Sequence, residues 1–239
     1  MASKGHEAGP EFRIMGRTFP NVAKMLGLLW GEFRISIPRT LAARPFLRVF
    51  ISTRFKVRGK SHIEVGPGSR LHLGTTFFGF VDGRERSLLR VRGRLIIKGS
   101  VRVGRGARWD IGEKSKVEIG DGTYFSPNTK LISTEAIIIG ARCAIGWGTS
   151  ILDSDFHTAE TLDVVGSRLE RVPDRTLSGA VRLADHVWLG SDVKVLKGVS
   201  IAAGCIVAAG SVVTRDVTQE NVLVGGIPAR LLKEGVTWR

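Results

Sequence analysis

The chain has 239 residues, a formal net charge of +14, 43% hydrophobic residues and only 7% aromatic ones. That length and apolar content support one good-sized core or two small ones and exclude a disordered chain. Glycine is abundant at 30 residues but proline is only 8, which excludes collagen, and two cysteines exclude a disulfide framework or a cysteine-only zinc site.

Taken from the start, residues 1–16 (MASKGHEAGPEFRIMG) read as an unstructured leader. Residues 17–60 form a basic segment predicted to make short helices, cut by Pro38 and Pro45. Residues 1–60 hold 12 Lys and Arg against 3 Asp and Glu, so +9 of the total charge sits there. Such a front end suits an anionic partner: phospholipid, acidic glycan or nucleic acid. Nucleic acid is not expected, because no recognised module or aromatic-basic interleaving is present. The segment reads either as an amphipathic surface resting on the inner face of a membrane or as a helical cap on the main body. The apolar stretch Val22–Trp30 is broken by Lys24 and too short to span a bilayer. With the cysteine usage, this predicts a cytoplasmic protein, with membrane contact confined to 17–60.

Residues 61–217 carry an internal repeat. From Leu183 an aliphatic residue recurs every six positions: Leu183, Leu189, Val195, Ile201, Val207, Val213. Four places after each comes a small or β-branched residue: Val187, Val193, Val199, Cys205, Ser211, Val217. Period six fits neither a helix nor a plain strand; it fits short strands joined by tight turns, with one inward aliphatic per strand. The pattern reaches upstream through Ile151, Ile145, Ile139, Leu131, Phe125, Ile119, Ile111, Val103, Leu71 and Val65. Pairs such as Val117/Ile119 and Ile137/Ile139 suggest a longer turn at one corner of each coil. The expected fold is an all-β solenoid, a parallel β-helix whose coils bury one another's apolar points.

Two breaks interrupt the repeat, at 78–94 and at 153–180, and breaks in solenoids become protruding loops. The second opens with Asp153-Ser154-Asp155-Phe156-His157. A neutral imidazole, with an unperturbed pKa of about 6.5, suits a general base, and Asp155 or Asp153 is close enough in sequence to orient the ring. Cys205 and Cys143 fall in the small inward column and read as core. No histidine pair accompanies His157 at zinc-ligand spacing, so no metal is expected. After Val217, residues 218–239 (containing GGIPARLLKEG) predict a turn and a short helix from Pro228 to Gly235 that caps the open end.

The register LGSDVK-VLKGVS-IAAGCI-VAAGSV, followed by VGGIPARLLK, resembles the hexapeptide-repeat acyltransferases over residues 60–235. Within them it is similar to the sugar O-acetyltransferases: the galactoside, maltose, nodulation-factor and capsule- or colanic-acid-type enzymes. The resemblance implies a left-handed β-helix, an exception to the usual crossover hand. It also implies a homotrimer with sites between subunits, and acetyl-CoA as acyl donor. It places His157 as catalytic base beside Asp155. Acetyl-CoA contacts carry over to Ser191, Ala209, Thr214, Arg230 and Lys233, with Arg215 as a further cation for the phosphates. Asn128 matches an asparagine near the reacting groups, and Trp188 matches a tryptophan that packs on ligand or neighbour; Trp147 and Asp153 join them toward the acceptor. The implied reaction is direct acetyl transfer to a saccharide or glycoconjugate hydroxyl. Two alternatives stay open: acetylation of a xenobiotic or amino-sugar nitrogen, and a non-catalytic β-helix scaffold docking on membrane or an acidic partner.

Overall fold

A computed structural model describes residues 62–66, 68–75, 85–157 and 178–239 in full, and the backbone of seven short strands outside them. The chain winds as a three-faced left-handed parallel β-helix. The first face stacks His62–Val65, Arg94–Ile97, Lys116–Ile119, Ala136–Ile139, Val181–Leu183 and Ser200–Ile201. The second stacks Arg70–Thr75, Ser100–Gly104, Tyr124–Phe125, Ala144–Ile145, Trp188–Leu189, Ile206–Val207 and Leu223–Gly226. The third stacks Ser87–Val91, Arg108–Ile111, Lys130–Ser133, Ser150–Leu152, Lys194–Val195 and Val212–Val213.

The period-six aliphatics point inward, as the repeat requires. Strand pairing aligns them, with the aromatics Trp109 and Phe125, into three columns. Val65, Ile97, Ile119, Ile139, Leu183 and Ile201 form the first. Val103, Phe125, Ile145, Leu189, Val207 and Val224 form the second. Leu89, Trp109, Leu131, Ile151, Val195 and Val213 form the third. All are at most 5% exposed, and burying each such side chain is worth about 1.5–3 kcal/mol. Cys143 and Cys205 are fully buried among them, and burial pushes the Cys143 thiol up to about 11, which keeps it protonated and inert.

From Ile97 onward every step from first to second face and from second to third is six residues. The third-to-first step varies: ten from Trp109 to Ile119, eight from Leu131 to Ile139, six from Val195 to Ile201. The longer turn expected at one corner is therefore real, and the long insertion leaves from that same corner. It begins after Leu152, runs out and back as an antiparallel pair, Glu160–Val165 with Arg168–Pro173, and rejoins at Val181.

Three expectations need correction. The break at 78–94 is shorter than expected, because Ser87–Val91 and Arg94–Ile97 are regular strands that bury Leu89, Val91, Leu95 and Ile97. Charged residues at the outward positions hid that alternation. The C-terminal helix is a strand: Ala229–Lys233 folds back antiparallel on Leu223–Gly226. A helix there would leave the outer edge of the second face without backbone partners. In the leader, Glu11–Ile14 is a strand paired with His62–Val65. The helical, membrane-facing reading of 17–60 falls largely outside the described residues; the parts described, Arg17–Phe19, Phe33–Arg34, Leu47–Val49 and Thr53–Val57, are strands.

Candidate active site

On the outside of the second face lies a groove of about 540 Å³. Its floor is the outward column next to the buried one: Tyr124, Ala144, Trp188, Ile206 and Leu223, each hydrogen-bonded strand to strand with the next. Its wall is the corner toward the third face, built from Ser126, Gly146, Trp147, Gly190, Ser191, Ala208 and Ala209. The small residues are obligatory where coils touch. A Cβ on Gly146 would sit 2.5 Å from the Gly190 carbonyl carbon, and one on Gly190 would sit 2.7 Å from the Ala209 nitrogen. Close stacking of small residues leaves a smooth trough edged by the half-buried Trp147 and the 41%-exposed Trp188.

The C-terminal tail borders this groove. The Trp238 ring stacks on His186 at 4.3 Å, its indole N–H donates to the His186 carbonyl (2.9 Å), and it lies 6.1 Å from the Trp188 ring. Lys233 pairs with the groove residue Leu223, and Arg230 pairs with Gly225, so both cations sit at the C-terminal end of the trough, exposed. Ser191 and Ala209, expected at acetyl-CoA, and Trp147 and Trp188, expected toward the acceptor, line this one groove. Thr214 and Arg215 do not join them: both follow Val213 onto the third-to-first corner and are exposed there. Asn128 stands in the turn that carries Ser126. It adopts φ 63°, and its side-chain amide donates to Glu85 (3.0 Å).

His157 lies elsewhere on the chain. It is exposed at the third-to-first corner, at the root of the inserted arm, one face away from the groove. The root is held firmly. Asp153 is fully buried, and its carboxylate accepts from the Ser133 hydroxyl (2.6 Å), the Thr134 amide (2.8 Å) and the Glu135 amide (2.9 Å). The Ser133 hydroxyl in turn contacts that of Ser115 one coil further. The returning foot is tied to the same place: the Gly179 amide donates to the Asp153 carbonyl (2.9 Å), and the Ser178 hydroxyl to Glu135 (2.7 Å). Asp153 is therefore an anchor closed to substrate, correcting the expectation that it meets the acceptor. Asp155 is bound by Lys197 at 2.6 Å, which ties the root to the following coil.

Sequence reasoning missed Tyr124, Ile206 and Leu223 as groove residues, although each is the residue just before an inward core residue (Phe125, Val207 and Val224). Lys197 carried no signal, because its partnership depends on how the arm leaves the stack.

A left-handed stack of six-residue steps with a small-residue trough on one face defines the hexapeptide-repeat transferases. Residues 180–215 match the bacterial transferase hexapeptide (six repeats) family. A putative lipopolysaccharide biosynthesis O-acetyl transferase, WbbJ of Escherichia coli (strain K12), is 32% identical over 132 residues, which cover 55% of this chain and 67% of the relative. An uncharacterized 24.8 kDa protein in the cps region of Klebsiella pneumoniae is 29% identical over 191 residues, 80% of this chain and 81% of the relative. In fold, the chain superposes on the crystal structure of the polySia-specific acetyltransferase NeuO with a TM-score of 0.53 at 19% identity, covering 81% of this chain and 76% of that one. The chain belongs to the hexapeptide-repeat family and is an acyltransferase.

Proposed function

We propose that the chain is an acetyl-CoA-dependent O-acetyltransferase acting on a saccharide or glycoconjugate hydroxyl, as a homotrimer with His157 as general base. One observation carries this reading. Ala144, Gly146 and Trp147 of the groove, and Leu152, after which the arm leaves toward His157, belong to one coil. One face separates them, so a single chain does not close the site. A threefold axis along the stack keeps equal coils at equal height, and a neighbouring copy then offers its His157 to this groove at the level of Trp147. The relative named for lipopolysaccharide O-acetyl transfer supports a glycoconjugate acceptor and polysaccharide biosynthesis as the setting.

Within that arrangement, coenzyme A lies in the trough, its pantetheine arm along Ala208, Ala209 and Ser191 and its phosphates near Arg230 and Lys233. His157 takes the proton of the acceptor hydroxyl as the oxygen attacks the thioester carbonyl carbon. The carbon–sulfur bond breaks, and the departing thiolate takes the proton from the imidazolium, giving the acetyl ester and free coenzyme A. Transfer is direct in this reading, and neither cysteine is placed to carry the acyl group, because both are buried in the core.

The test is His157→Ala, assayed by coenzyme A release with a saccharide panel. The expected loss is on the order of 10²–10⁴-fold in kcat, with unchanged coenzyme A binding by calorimetry. Turnover within a few-fold of the parent would sink the mechanism, and a folded trimer that binds no coenzyme A would favour a scaffold.

A further inference from the structure

We infer that the N-terminal end of the groove is an anion subsite that selects an acceptor bearing a carboxylate or phosphate, with Arg102 as its recognition residue. The inference rests on the acetyltransferase reading above and names the acceptor class for that same site.

The outward column that floors the groove does not stop at Tyr124. Strand pairing continues it to Arg102. The Arg102 guanidinium lies 5.7 Å from the centre of the ring of Tyr124, itself a groove residue. A guanidinium resting on an aromatic face keeps its N–H edge available, and that edge matches a carboxylate or phosphate two bonds at a time. One coil further the column continues to the half-buried His72, and the exposed Arg70 stands at the neighbouring outward position, paired with Ser100.

Arg102 differs from four cations of the nearby coils. Arg90 and Arg92 are paired with Asp110 at 2.8 and 3.1 Å, and Lys98 and Lys116 both pair with Glu118, whose carboxyl they hold below its ordinary range. Arg102, by contrast, has no carboxylate within salt-bridge distance among the described residues. It stands where the surroundings are already positive. Residues 85–131 hold eleven Lys and Arg against five Asp and Glu, a net +6, whereas residues 178–213 hold three against two, a net +1. A field of this kind concentrates anions and speeds their arrival.

The groove has cations at both ends and none on its floor between them. Arg230 and Lys233 at the C-terminal end suit the phosphates of coenzyme A. Arg102 lies two coils from Ala144, about 10 Å at the spacing of neighbouring strands. Ala144 is at the height where the thioester would meet His157. An anion held by Arg102 is therefore on the acceptor's side of the reacting bond, away from the donor's phosphates.

The test compares a hexuronic-acid oligosaccharide with its carboxyl-reduced neutral counterpart as acceptors, for the parent, Arg102→Ala and Arg102→Lys. The parent is expected to favour the acidic acceptor by about ten-fold or more in kcat/KM, the size of one charge-assisted pair. Arg102→Ala should raise the acidic acceptor's KM by a similar factor and leave the acetyl-CoA KM unchanged, and Arg102→Lys should recover part of the loss. Equal use of both acceptors by the parent overturns the proposal. So does an Arg102→Ala defect that falls on the acetyl-CoA KM instead. If no acceptor turns over, the acetyltransferase reading fails on its own, and calorimetry with the acidic oligosaccharide still decides: binding by the parent that Arg102→Ala abolishes upholds the anion subsite, and equal or absent binding overturns it.

Discussion

The early coils and the late coils follow one plan at two widths. The coil from Ile97 to Ile119 takes 22 residues, that from Ile119 to Ile139 takes 20, and that from Leu183 to Ile201 takes 18. Interior bulk falls in step. The widest coil holds Trp109, packed edge-on to Phe125 of the next coil at 4.7 Å, while the narrow ones hold Leu189, Val193, Val195 and Cys205. Close packing allows neither a void nor an overlap, so a bulkier core and a longer perimeter must go together. From Ile97 onward the extra residues all enter at the third-to-first corner, leaving the groove wall at the other edge of the third face at its strict six-residue step. One corner absorbs variation, including the whole inserted arm, and the opposite corner stays regular enough to line a trough.

The largest expected effect breaks the wide end. Trp109→Ala removes the bulkiest fully buried side chain among the described residues from the coil with the longer corner turn. A destabilisation of about 3–5 kcal/mol is expected, read as a shift of the denaturation midpoint at fixed protein concentration. A loss below about 1 kcal/mol would mean that the wide coil collapses freely and that its perimeter is not set by bulk.

A smaller effect probes the narrow end. Val207 and Phe125 occupy one inward column, with Ile145 and Leu189 between them. Val207→Phe forces a ring into an 18-residue coil and should cost about 1–3 kcal/mol. Ile145→Phe adds a ring in a coil with the longer perimeter and should cost less. Equal costs at the two positions would remove coil width as the governing variable.

How much of this was legible follows from the same contrast. Where coils are strict, six aliphatics in a row announced the columns, and Leu183 through Val213 are all inward. Where coils are wide, the period drifts, and Trp109 was not recognised as the third-face partner of Leu131. Arg90, Arg94 and Lys98 alternate with Leu89, Leu95 and Ile97, so that stretch read as a charged loop. The C-terminal segment has helix punctuation, Pro228 before and Gly235 after, but pairing with the open edge at Leu223–Gly226 overrides local preference. Asp153 shows the limit at the site: its position next to His157 was readable, but four hydrogen-bond donors gathered from residues 133–135 were not, because they come from the preceding coil.

The finest test asks whether the groove corner is regular because turns demand it or because coils touch there. Gly210 and Gly146 separate these causes. Gly210 has φ 70° with nothing within 4 Å of an added Cβ, so Gly210→Ala pays only the left-handed conformation, about 1–2 kcal/mol. Gly146 lacks a positive φ, but its added Cβ would meet the Gly190 backbone at 2.5 Å, and no side chain can swing aside to relieve it. Gly146→Ala must push two coils apart, which should both exceed the Gly210→Ala cost and weaken coenzyme A binding through the distorted wall. Denaturation midpoints and calorimetric coenzyme A affinities for the two variants settle the order. If Gly210→Ala proved the more damaging, turn conformation rather than coil contact would be what keeps this edge straight.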